Sequence, residues 1–359
     1  RMRQRAVTSM LLPASEVQPC TIRLGVGAPF IVESNFCRPR LSHADPVFPR
    51  TCPPSPIGTA GVTHCWWRPI VAAWLLAAAQ YALAEVRVVD DSGATIRLAQ
   101  PAKRIVSLAP HLTETLFAAG AGERIVGTVE YSEYPPAARR IARVGGYSRI
   151  DLERVVALQP DLIIAWQSGN VAAHIDRLRS IGAPIYLSQP NQLADVAGEI
   201  ERFGVLAGSS AAAHRAAESF RERLAGLQKR YSQRPPVPTF YQIWKQPLMT
   251  VGRRQIISDV IRLCGGENVF GQIEAMAPTV DVEAVIAANP EAIVASGMDE
   301  ARPEWLDDWK RWTTLTAVAR GNLFFVPPDL IQRHTPRLLD GAERLCQQLE
   351  TARSRRPGK

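Results

Sequence analysis

The side chains that could do chemistry here are few and scattered. Beyond residue 84 there are four histidines, His111, His174, His214 and His334. They lie far apart in sequence, and none pairs at i, i+4 to clasp a metal from one helix face, so a locally built zinc or manganese site is disfavoured. Only a cluster assembled by the fold stays open. No Gly-rich phosphate loop, H-E-x-x-H or G-x-S-x-G occurs, so no catalytic residue and no metal ligand is assigned. What stands out is aromatic and polar. EYSEYPP (130–136) sets two tyrosines ahead of a proline pair, Trp166 stands directly before QSG (167–169), and DLIQR (329–333) follows FFVPP. Aromatic faces with a few donors and acceptors suit holding a ligand rather than reacting with it. Plainer roles stay open too: Trp166 packed under its loop, and Asp329 with Arg333 as a structural salt bridge.

These residues need elements to position them. Short apolar runs at 105–108, 125–129, 162–166 and 185–187 read as strands, with helical patterns at 113–119, 152–158 and 171–181 between them. The last helix opens near Asn170 and stops at Gly182. Such alternation predicts an α/β unit with a largely parallel sheet, and ligands of such sheets sit beyond the carboxyl ends of the strands, where Tyr131 and Trp166 fall. From 209 to 231, Ala213, Ala217, Phe220, Leu224, Leu227 and Tyr231 form one helix face. At 1.5 Å per residue this helix is about 33 Å long. Pro235 and Pro236 end it. Alternation then restarts: strand 239–244, helices 255–263 and 282–288, strands 292–294 and 323–326, and a closing helix through 338–349.

The two halves echo each other. LERVVALQPDLIIA (152–165) and VEAVIAANPEAIVA (282–295) share six of fourteen positions without a gap, including Glu153/Glu283 and Pro160/Pro290. The match favours duplication. Two lobes joined by one rigid helix leave a cleft between them, a favoured ligand position.

The chain has 359 residues, 46% hydrophobic and 21% charged, with a formal charge of +8. That excess invites a nucleic-acid reading. Residues 1–84, however, carry eight Arg and three acidic residues, leaving 34 basic against 31 acidic groups for the rest. The folded part lacks the concentrated basic charge such binding needs. Arg68, the apolar run IVAAWLLAAA (70–79) and ALA (82–84) read as a secretory signal cleaved before Glu85. Ten residues are about half of what spans a bilayer. Residues 1–61, with nine prolines and three cysteines, fit no element and are read as untranslated, with a long natural n-region as the alternative. Of six cysteines, Cys264 and Cys346 remain after cleavage, which suggests one disulfide in an oxidising compartment.

Several segments together, SLAPHLTETLFAAG, EYSEYPPAA, LERVVALQPDLIIAW, LCGGENVF, VPPDLIQRHTPR and ERLC, resemble the vitamin B12-binding family of bacterial ABC importers. That family is a branch of the helical-backbone receptors that also take haem and iron siderophores. The resemblance runs from about 104 to 349. It implies a class III periplasmic binding protein: leader 1–84, an α/β lobe over 85–208, a bridging helix over 209–234, an α/β lobe over 235–352, and little hinge motion. Carried over by position, Tyr131, Tyr147 and Trp166 would wall the cleft from the first lobe, and Met249, Asp329, Leu330, Ile331, Gln332 and Arg333 from the second. Cobalamin would be cargo, its cobalt already chelated, with no catalytic cofactor and no protein metal ligand. Glu153 and Glu283 would dock on a membrane permease that works with its ATPase subunits. A first-turn Glu is favoured by the helix dipole in any case. Cys264 and Cys346 match the family disulfide. The implied product is a periplasmic monomer, not an enzyme and not a nucleic-acid binder.

This chain also departs from the family pattern. Aromatic positions are occupied by Ala277 and Met249, and an acidic one before Arg333 by Gln332. A haem or siderophore receptor of the same architecture is the nearer alternative, and a secreted α/β enzyme the more distant one.

Overall fold

A computed structural model describes residues 85–297 and 301–358; the leader, its apolar run and the four cysteines ahead of residue 85 lie outside the described residues. The described residues open with a hairpin, β1 (Val86–Val89) against β2 (Thr95–Leu98). Asp90 closes its turn by accepting from the Ser92 and Ala94 N–H groups.

The first lobe then alternates. In order come β3 (Ile105–Ser107), α1 (Pro110–Ala118), β4 (Ile125–Thr128), β5 (Ala142–Arg143), a small hairpin of β6 (Gly145–Gly146) and β7 (Arg149–Ile150), α2 (Leu152–Ala157), β8 (Leu162–Trp166), α3 (Ala172–Ser180) and β9 (Ile185–Ser188). The sheet order is β5-β4-β3-β8-β9, parallel throughout. β3 and most of β8 are buried on both faces, as helices on either side of a parallel sheet require. α1 begins a turn earlier than its apolar pattern suggests because Pro110, with no N–H to lose, suits the first helical turn.

One helix is absent from the segments read above. It is α4 (Leu193–Ala207), opened by a reciprocal Gln192/Asp195 capping box and closed by left-handed Gly208. It packs along α5 (Ser210–Tyr231), whose six expected apolar positions are all buried. At Gly204 an added Cβ would come 2.2 Å from that of Ala213, so this approach depends on glycine. The long helix is therefore braced by a partner rather than standing as a lone rod.

The second lobe holds β10 (Val237–Trp244), β11 (Met249–Thr250), α6 (Ile256–Leu263), β12 (Gly266–Asn268), α7 (Val282–Ala288), β13 (Ala292–Ala295), α8 (Thr316–Ala319), β14 (Leu323–Phe325), α9 (Pro328–Ile331) and α10 (Leu338–Ser354). Its sheet runs β11-β10-β13-β14, with β12 on the first half of β10; only β11 is antiparallel. Cys264, ending α6, is bonded to Cys346 in α10 across 82 residues. Closing a loop of that size is worth about 4 kcal/mol in the chain-entropy model.

One apolar core runs from β1 and β2 through α1, α4 and α5 to α6 and α10, and so joins both lobes to the long helix. Two satellite cores fill the outer sheet faces, under α2 and α3 in the first lobe and under α7 and a 3-10 segment (Glu304–Arg311) in the second. The sequence repeat is a structural one. Asp151 and Asp281 cap α2 and α7 by accepting from the Arg154 and Ala284 N–H groups, at 3.1 and 2.6 Å. Gln159 (φ 46) and Asn289 (φ 40) then turn left-handed just before Pro160 and Pro290. Among the described residues no helix is long and apolar enough to cross a membrane.

Candidate functional site between the lobes

The carboxyl ends of β3, β4 and β8 meet the segment that follows β14. Two contacts fix the meeting. Arg337, leading into α10, forks onto Glu114 of α1 with bonds of 2.6 and 2.7 Å, and Glu114 is only 3% exposed. Tyr134, from the YSEYPP turn, lies over that guanidinium at 3.8 Å. At another point of the boundary the Leu193 N–H donates to Asp259 across 2.8 Å. Beside it opens a polar pocket of about 370 Å³, flanked by Gln192, Arg253, Arg254 and Arg262.

The first lobe's wall is built around Trp166. The Trp166 backbone N–H donates to Asn170 Oδ1 at 2.7 Å, and Asn170 Nδ2 donates to the Leu108 and Tyr147 carbonyls at 2.9 and 2.7 Å. Asn170 therefore does not cap α3, as its position before that helix suggests. It ties three loop segments into one wall, and Val171 takes the cap position without a side-chain bond. Gly169 lies flat under the indole, where a Cβ would come 1.9 Å from the ring. Tyr147 is half exposed, its ring 6.0 Å from that of Trp166. Tyr131 is more exposed still and sits in the left-handed region (φ 63), uncommon for a bulky side chain. Beneath the turn, Thr113 Oγ1 bonds Ser107 and Thr128 at 2.9 and 2.6 Å, a buried hydroxyl network that braces the ends of β3 and β4.

In the second lobe Arg333 pairs with Asp329 at 2.8 Å. Gln332 donates to Ser296 O and Oγ at 3.2 and 3.1 Å, which fastens the DLIQR segment to the end of β13. Leu330 is half-buried, and its carbonyl presses on α10 at Gly341, where a Cβ would come within 2.5 Å. Ile331 is fully buried in the core that joins the lobes, so its side chain presents no face to the cleft. Met249 is half-buried and lies opposite Trp244 in the β10–β11 pair, and Trp244 is exposed at the carboxyl end of β10. Opposed residues of an antiparallel pair share a face. An aromatic ring thus stands beside the position where the sequence substitutes methionine. Ala277 is exposed and adds no ring.

The fold also joins two histidines that are 223 residues apart. His111 of α1 and His334, just past α9, have ring centroids 5.3 Å apart, and Trp166 caps both edge-on at 5.1 and 6.4 Å. A ladder of rings so descends from exposed Tyr147 through Trp166 to the buried pair. His111 and His334 are 5% and 2% exposed. Burial holds both imidazoles neutral, His334 down to about 4 and His111 well below its usual range, with His334 and Arg333 adding to the effect on His111. His111 Nε2, both His334 ring nitrogens, Trp166 Nε1 and Thr335 Oγ1 are buried without a protein partner. Each such atom costs about 1–3 kcal/mol unless something else satisfies it. No sequence signal marks this pair: His111 opens α1 just after β3 and His334 lies between α9 and α10, and nothing in the sequence places them opposite each other.

Glu153 and Glu283 are exposed in the first turns of α2 and α7. Each helix returns through a tight turn into a parallel strand, so its amino end lies on the side of the strands' carboxyl ends. Both glutamates therefore mark the cleft side of their lobes. Elsewhere Glu201, His214 and Glu218 lie close enough to share an ion, but the Arg221 guanidinium already bonds both carboxylates, at 2.6 and 2.5 Å. That arrangement is an ion-pair network.

Comparison with known proteins settles the family. Residues 105–330 match the model for periplasmic binding proteins. The chain belongs to the periplasmic binding protein family. A vitamin B12-binding protein of Vibrio parahaemolyticus is 37% identical over 260 residues, 72% of this chain and 93% of that protein. One from Vibrio cholerae is 38% identical over 253 residues, 70% and 91% of the two chains. The crystal structure of the periplasmic vitamin B12-binding protein BtuF of Vibrio cholerae superposes with a TM-score of 0.65 at 36% identity, over 70% of this chain and 98% of that one. A periplasmic haem-binding protein from Roseiflexus is alike in fold at a TM-score of 0.59 and 22% identity. Two α/β lobes joined by a long helix are thus the architecture of this family member.

Proposed function

We propose that the protein captures a corrinoid of the cobalamin kind between its lobes in the periplasm and hands it, chemically unaltered, to an ABC permease. The observation that carries this reading is the ring ladder at the lobe boundary, in a chain that matches proteins named for vitamin B12 binding over nearly their whole length. A corrin is a broad apolar macrocycle fringed with amides. Tyr131, Tyr147, Trp166 and Trp244 supply flat faces, and Arg333 with Asp329 supplies charge at the rim. The protein would act as a monomer, with Glu153 and Glu283 as its two acidic anchors on the permease.

Titration calorimetry of the purified protein with cyanocobalamin, haemin and a ferric siderophore tests the reading. Cyanocobalamin should bind most tightly, and Trp166→Ala should weaken it by about 1–3 kcal/mol. Preference for haemin, or unchanged affinity in the variant, overturns the ligand or removes Trp166 from the site.

A further inference from the structure

We infer that His111 and His334 form a paired polar contact that reads the amide fringe of the ligand, selecting carboxamide over carboxylate at one edge of the macrocycle. The inference rests on the corrinoid reading above and deepens it. One imidazole comes from each lobe, so a guest that meets both is bound by both lobes at once. Three ring nitrogens of the pair, His111 Nε2 and both nitrogens of His334, are buried without protein partners. Trp166 Nε1 and Thr335 Oγ1 beside them are equally unpaired.

A neutral imidazole carries one N–H donor and one acceptor nitrogen, and a primary carboxamide carries the complementary NH2 and C=O. The burial that keeps these rings neutral matters here, because a carboxylate offers acceptors alone and would leave an imidazole lone pair facing an anion. The nearest cation does not reverse this preference: Arg333 is already paired with Asp329 at 2.8 Å. The Trp166 ring packs edge-on against both histidines and so borders the place where the macrocycle edge would meet them.

The test compares cyanocobalamin with its isomeric monocarboxylic acids, each having one peripheral propionamide hydrolysed to propionate, at pH 7.5. Wild-type protein should bind at least one isomer tenfold or more weakly than cyanocobalamin. In His111→Ala and His334→Ala that gap should shrink to within threefold. His334→Gln, which keeps one donor and one acceptor, should retain most of it. A loss of folding in an alanine variant would show in its thermal transition, and the glutamine variant then carries the comparison. An unchanged gap in every variant, or no discrimination by a wild type that binds cyanocobalamin, overturns the role of the histidines alone. A wild type that binds no cyanocobalamin overturns the corrinoid reading itself.

Discussion

Glu114 and Arg337 face each other across the lobe boundary in a two-pronged ion pair, with the carboxylate almost fully buried and Tyr134 covering the guanidinium. Removing the cation would leave a buried, uncompensated anion. Arg337→Met should therefore destabilise the protein by about 3–5 kcal/mol, and adding Glu114→Gln should recover at least half of that. Denaturant unfolding measures both. A loss below about 1 kcal/mol for the single variant would mean that water reaches the carboxylate and the pair contributes little.

Asn170 reaches Trp166, Leu108 and Tyr147 with one side chain. Asn170→Ala should cost about 1–3 kcal/mol of stability. It should also weaken ligand binding about tenfold, since the wall loses the residue that holds its two rings in register. Equal ligand affinity in variant and wild type would show that the loops hold their places without it.

Glu199 is buried between Ser188 and the Tyr186–Arg202–Asp91 group, and burial is the main cause that pushes its carboxyl up to about 8. The folded chain keeps this proton above pH 4.5, where the unfolded chain has released it, so stability falls as pH rises toward 8 and then levels. Buried His111 and His334 act in the opposite sense, lowering stability as pH falls below 6.5, for His334 down to about 4. Between pH 6.5 and 8 Glu199 acts alone among these three, with a loss of about 2 kcal/mol. Glu199→Gln should flatten that interval, and an equal slope in the variant would assign the effect to another group.

Glu153 and Glu283 each lie exposed in a first helical turn. Glu153→Ala with Glu283→Ala should abolish uptake of labelled cobalamin in cells that depend on this protein, yet leave its ligand affinity within twofold. Full uptake by the double variant would reduce both residues to helix-dipole partners.

The sequence was most legible where one element decides its own form. The α5 face, the α2–β8 and α7–β13 repeat and the strand runs depend on periodicity, and all took the expected form. α4 carries an equally clear pattern, with Leu193, Val196, Ile200 and Phe203 on one face behind a capping box. The candidate site was less legible, because Asn170 has the position of a helix cap and the work of a cross-link, and because Met249 looks like a lost ring until Trp244 lies opposite it.

By itself the chain determined two α/β halves, the helix that joins them and the aromatic turns at the strand ends, because local spacing and cap chemistry are written along it. The tertiary structure alone decided which distant residues share the cleft floor. His111 and His334 owe their nearness, their burial and their neutral rings to lobes folding toward each other, as Glu114 and Arg337 owe their pairing. Proximity across 223 residues depends on how every intervening element packs, and no short stretch of sequence carries that information.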